Sequence, residues 1–86
     1  AYVIMNEINI KSLESILQKQ FPEADVDFSD GNYYVNSVKG WDSLGHFNLL
    51  LLIEYEYDIQ FSDEEMSEIK DTAQIRQALS NRGIKC

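Results

Sequence analysis

Asp42, Ser43 and His46 lie close together in "WDSLGHFNLL", residues 41–50 of the chain. A carboxylate, a hydroxyl and an imidazole are the ingredients of a nucleophilic triad. A working triad also needs the imidazole to reach the serine oxygen while a third group orients it, and it needs donors for an oxyanion. No second polar cluster supplies such donors. His46 falls on an apolar helical stripe, where a histidine more often packs than works as a base. No hydrolase chemistry is expected, and no catalytic residue is assigned. Ser43 on its own is compatible with a place beside a helix cap. The other use for its hydroxyl is as a point of covalent attachment, which three letters alone would support only weakly.

A second cluster, "DVDFSDG" at 25–31, invites a calcium reading. A loop beginning at Asp25 would offer oxygen ligands at Asp25, Asp27 and Ser29. It would then need glycine in the sixth place and a bidentate glutamate in the twelfth. Asp30 and Asn36 stand there instead, and no helix follows on the far side. With one His and one Cys in the whole chain, no zinc set can be assembled. No metal site is expected.

These residues must be carried by a small domain. The 86 residues suit a single domain over 1–86, too small for a deep enzyme cleft. Residues 1–5 are expected to be disordered or appended, with Met5 a candidate natural start. Acidic residues outnumber basic ones by 15 to 7, for a net charge of −8. That balance disfavours nucleic acid, whose binding requires Lys and Arg on phosphates. It favours partners with positive patches. The longest uninterrupted apolar run, Leu49–Ile53, falls far short of the roughly 20 residues that span a bilayer, and "AYVIM" is too short for a secretory core. Cys86 has no partner for an internal disulfide, which fits a reducing, cytoplasmic setting.

Helical spacing of Ile10, Leu13, Ile16 and Leu17 predicts a first helix from about Asn9, its N-cap, to Gln20, with Pro22 closing it. Residues 22–41 show no period and read as a long ordered loop, with at most a short helical turn. Tyr33, Tyr34, Val35, Val38 and Trp41 are expected to anchor it. A second helix runs from Ser43 to Tyr57 with Asp42 as N-cap. Its apolar residues form two stripes. His46, Leu49, Leu50, Ile53 and Tyr57 share one side, with Phe47 at the edge. Leu44, Leu51 and Tyr55 lie roughly opposite. A helix apolar on two faces is either sandwiched or keeps one face for a partner. Ser62 and Glu65 have capping-box spacing and predict a short helix that points Met66 and Ile69 inward. A last helix starts near Asp71 or Thr72, buries Ile75, Ala78 and Leu79, and stops at Gly83. The expected fold is all-α: three main helices, one short helix, and a long loop between the first and second.

This register resembles the acyl carrier protein family. "WDSLGHFNLLLLIEYEYDIQFSDEEMSEI" is similar to the family's attachment-serine helix and the acidic turn after it. The similarity runs from about Gly40 to Leu79, while the first helix matches only in kind and position. The resemblance implies that Ser43 receives 4′-phosphopantetheine, with Asp42 and Leu44 completing the motif. It implies a protein that is not an enzyme but holds an acyl or aminoacyl group as a thioester on that arm. It places Leu44, Asn48, Leu51, Glu54, Tyr55 and Glu56 on a partner face. It places Phe47, Leu50, Ile53, Tyr57, Phe61, Met66, Ile69, Ile75 and Leu79 around an acyl pocket or core. Its implied partners are a phosphopantetheinyl transferase and acyl or aminoacyl ligases and transferases, met by a cytoplasmic monomer.

The sequence departs from the fatty-acid-synthesis carriers at three places. Gly45, Asn48 and Tyr55 stand where those carriers usually have acids. Docking is then expected to be more apolar, which favours a specialised carrier serving a dedicated ligase or transferase. The large aromatic and aliphatic core residues suggest a tight interior and short acyl or aminoacyl cargo. The alternative from another class is an unmodified helical adaptor that binds a protein through Leu44, Leu51 and Tyr55.

Overall fold

The structure, a computed structural model, describes residues 12–84. Asn9 and Ile10 at the expected head of the first helix, the Met5 start and Cys86 lie outside these residues. Helix α1 spans Leu13–Gln20. Ser12 is its N-cap: the hydroxyl accepts the Ser15 N–H at 3.1 Å, satisfying a donor that has no partner within the helix. It ends where the Phe21 N–H bonds the Leu17 carbonyl at 2.8 Å and Pro22, lacking an N–H, follows. Leu13, Ile16 and Leu17 are buried, and α1 packs on the next helix.

Helix α2 spans Ser43–Tyr57, with Asp42 as N-cap. The Asp42 carboxylate accepts the Gly45 N–H at 2.8 Å. The helix closes at Asp58, whose φ of 54° is a left-handed conformation that a short polar side chain tolerates. Helix α3 spans Asp63–Glu68 and has both halves of the capping box: Glu65 N–H to Ser62 Oγ at 3.1 Å and Ser62 N–H to Glu65 Oε1 at 2.8 Å. Helix α4 spans Thr72–Asn81, and its N-cap Asp71 accepts the Gln74 N–H at 2.8 Å. Gly83, with φ of 79°, follows as the left-handed stop. Among the described residues the architecture is all-α, three main helices and one short one, as the spacing predicts.

The stretch between α1 and α2 holds turns and a single isolated bridge between Tyr34 and Asp71, with no helical turn. Its order comes from side chains and backbone alike. Phe21, Ala24, Phe28 and Trp41 are buried, and Tyr33, Val35 and Val38 pack against the core. Tyr34 corrects the expectation: its ring is 55% exposed, and its backbone makes the attachment through the bridge to Asp71. The Tyr33 carbonyl accepts the Thr72 N–H at 2.9 Å, and the Lys70 carbonyl accepts the Val35 N–H at 3.2 Å. Asn32 Oδ1 accepts from the Thr72 hydroxyl at 2.7 Å and the Ala73 N–H at 2.9 Å. The loop therefore caps the start of α4, and its backbone polar groups find partners there.

One interaction that spacing does not announce ties the far end. Arg82 donates to both oxygens of Glu65, at 2.5 and 2.8 Å, and to the carbonyls of Gln60 and Ala78, each at 3.0 Å. Its guanidinium also lies 5.2 Å from the Phe61 ring centre. Hydrogen bonds from Arg82 hold the Glu65 carboxyl down at about 2. Among the described residues no helix is long and apolar enough to cross a membrane.

Candidate functional site

Ser43 owes its position to its neighbours. Trp41, two residues earlier, is fully buried and stacks on Phe21 with ring centres 5.1 Å apart. Its indole N–H donates to His46 Nδ1 at 2.9 Å. His46 Nε2 stands 2.8 Å from the Ile69 carbonyl oxygen. A carbonyl can only accept, so Nε2 carries the proton and Nδ1 accepts from Trp41. Burial holds the His46 pKa below its ordinary value and keeps the ring neutral; nearby Lys70 acts in the same direction, while the Ile69 carbonyl opposes. Both ring nitrogens are engaged, so neither can take a proton from Ser43. The imidazole ties the start of α2 to the segment between α3 and α4.

Gly45 is buried on the same side. A β-carbon there would stand 2.2 Å from the Gly40 carbonyl oxygen and 3.2 Å from Phe21. Gly40 itself has φ of +92°, the left-handed region that suits glycine. The loop crosses the helix at this point with no room for a side chain. A glycine opening an apolar helix could have signalled this in the sequence; the partner it makes room for, Gly40, could not. With Trp41, Gly45 and His46 facing inward, Asp42, Ser43 and Leu44 are left exposed. The Ser43 hydroxyl makes no hydrogen bond to any other described residue. The backbone N–H groups of Ser43 and Leu44 have no partner among the described residues either, because Asp42 takes only that of Gly45.

Beside the serine lies a groove of about 280 Å³, lined by Val35, Ser43, His46, Phe47, Leu50, Met66 and Lys70. Of the expected pocket or core residues, Leu50, Ile53, Phe61, Ile69, Ile75 and Leu79 are buried, and Tyr57 and Met66 pack partly buried against them. Phe47, expected at the edge of the inward stripe and at the pocket, is 51% exposed and forms part of the groove wall.

The outward stripe carries Leu44, 68% exposed, Leu51, 41% exposed, and Tyr55, 82% exposed, with Asn48 also at the surface. The two acids expected beside them are engaged within the protein. Glu54 accepts the Phe61 N–H at 2.7 Å. The Glu56 side chain is only 9% exposed and meets Lys19 at 3.4 Å. In "DVDFSDG", Asp27 Oδ1 accepts from the Ser29 N–H and hydroxyl at 2.9 and 2.6 Å, which lowers its pKa. That turn closes over buried Phe28, and no group of metal-ligating side chains forms among the described residues.

Fold and site together define a small helical domain that presents a serine hydroxyl in the first turn of a firmly held helix. A phosphodiester on that oxygen fits the residues present. The hydroxyl is exposed, it and two first-turn amides have no partner among the described residues, and the groove wall alongside is largely apolar with one ammonium. Comparison of sequences finds a Mycoplasma pneumoniae protein described as an acyl carrier protein homolog. It is 28% identical over 75 residues, covering 83% of this chain and 71% of that protein. The likeness supports an acyl-carrier-like family. No family profile matches the chain. No solved structure matches it either.

Proposed function

We propose that this chain is an acyl or aminoacyl carrier whose Ser43 bears 4′-phosphopantetheine. The observation that carries the reading is the Ser43 hydroxyl itself: exposed, unbonded among the described residues, and at the rim of an apolar groove. A separate phosphopantetheinyl transferase, with its own metal, would attach the arm from coenzyme A. The arm, when bound, supplies a thiol that holds cargo as a thioester. Asp42 fixes the helix start, Trp41 and His46 hold it against the core, and the first-turn amides favour an anion on Ser43. Leu44, Asn48, Leu51 and Tyr55 form the face that ligases and transferases would recognise. The commitment of Glu54 and Glu56 to internal partners, together with Gly45 and Asn48 beside the motif, makes that face more apolar than acidic. This supports a specialised carrier; that it acts as a cytoplasmic monomer on short cargo is part of the same proposal. Surface polysaccharide, lipid and secondary-metabolite synthesis are the settings such a carrier would serve.

Incubation with coenzyme A and a broad-specificity phosphopantetheinyl transferase is expected to add the mass of one arm, and Ser43→Ala to abolish the addition. An unchanged mass with several active transferases would overturn the reading. The exposed Leu44, Leu51 and Tyr55 stripe also supports a second reading, an unmodified adaptor. An adaptor would bind its partner equally well as Ser43→Ala.

A further inference from the structure

Four of the five basic side chains among the described residues stand against a carboxylate. Lys19 meets Glu56 at 3.4 Å, Lys39 meets Glu23 at 3.5 Å, Arg76 meets Glu14 at 2.7 Å and Arg82 meets Glu65 at 2.5 Å. Lys70 is the fifth, and its ammonium has no ion-pair partner among these residues. In a chain with 15 acids and 7 bases, an unpaired cation is the less expected state. Its backbone is nonetheless firmly placed: the N–H donates to Gln74 Oε1 at 2.8 Å and the carbonyl accepts from Val35 at 3.2 Å. Lys70 lines the same groove as Ser43, and its charge is felt at His46. Among the described residues no acidic side chain lines that groove.

We infer that the Lys70 ammonium is the counter-cation of a phosphodiester on Ser43, seating the first part of the arm in the groove against Phe47 and Met66. This rests on the carrier reading and deepens it. The occupant follows from charge complementarity: the groove combines apolar walls with a cation that has no ion-pair partner among the described residues, and an arm on Ser43 brings an anion followed by a partly apolar chain. Pairing here would bias the arm toward the groove without fixing it, since an exposed ion pair is weak and salt-sensitive.

The test uses the full chain, wild type and Lys70→Gln, each loaded by the transferase and checked by mass. In the wild type, loading is expected to shift the NMR signals of Phe47 and Met66 and to give a phosphorus resonance that moves with added salt. In Lys70→Gln both responses should shrink at least twofold, with Lys70→Arg restoring them and Lys39→Gln leaving them unchanged. Equal responses in loaded wild type and Lys70→Gln would overturn the pairing while leaving the carrier reading intact. No added mass on the wild type would overturn both. A difference that emerges only once a carboxylate-ended acyl group is on the thiol would also overturn it, assigning the lysine to cargo instead.

Discussion

Leu49 and Leu51 stand two residues apart on α2, yet Leu49 is fully buried and Leu51 is 41% exposed. The same contrast runs along the helix. Gly45, His46, Leu49, Leu50 and Ile53 face the core, while Leu44, Leu51 and Tyr55 face outward. Apolar character does not separate the two sides. What separates them is commitment. The inner side includes a glycine with no room for a β-carbon and a histidine with both nitrogens bonded. The outer side consists of side chains that could be exchanged with little cost to packing. The inner side holds the start of the helix in place, so the exposed Ser43 is presented from a rigid support. The outer side is free to serve recognition.

Gly45→Ala tests this contrast most severely. In an open helix, alanine in place of glycine would gain about 0.8–1.0 kcal/mol. Here the added carbon would meet the Gly40 carbonyl at 2.2 Å, so the loop must move off the helix. The expected outcome is a loss of about 1–3 kcal/mol, the range for forcing atoms into a packed interior. It would be read as a lower denaturation midpoint with an unchanged slope. A variant as stable as wild type would show that the loop and helix do not meet as described.

His46 gives a smaller effect with a definite sign. Its folded pKa lies below the ordinary 6.5, chiefly through burial. Between those two values the unfolded chain binds more protons. Stability is therefore full above about pH 6.5 and falls as pH drops toward the folded value, by at most about 1.4 kcal/mol per pH unit. Protonation would also set an Nδ1–H against the Trp41 indole N–H, removing that bond. Comparing unfolding at pH 7.5 and 5.5 should show this loss in wild type and a flatter response in His46→Gln. Parallel curves would mean that the imidazole is not the group that senses pH.

Most of this support was legible in the residue order, for reasons that differ by feature. Asp42 and Ser62 declare their helix starts because short polar side chains must satisfy local N–H groups, and the register is fixed within three residues. The two stripes of α2 follow from helical period alone. What could not be read was the identity of partners distant in sequence. Spacing placed His46 on the core side but could not supply Trp41 and Ile69 as its two partners. The family resemblance places Glu54 and Glu56 on the partner face, but no spacing announces that their oxygens also meet the Phe61 N–H and Lys19. Tyr34 is expected to anchor its loop, and it does so through its backbone, its ring being turned out.

The smallest expected effect on the fold comes from the outer side. Leu51→Asp places a charge where the side chain already meets water, so stability should change by no more than about 0.5 kcal/mol. Under the carrier reading, the same substitution should slow loading of Ser43 by a phosphopantetheinyl transferase or transfer by a partner ligase. It removes apolar contact and adds a charge that any apolar partner surface would have to desolvate. Changing Leu51 to Ala separates those two causes, since it removes the contact without adding the charge. Circular dichroism and the denaturation midpoint report the fold, and the rate of mass gain reports recognition. Wild-type stability with slowed loading would make the two sides of α2 functionally distinct. Unfolding of Leu51→Asp would instead make the outer stripe part of the core and remove the basis for a partner face there.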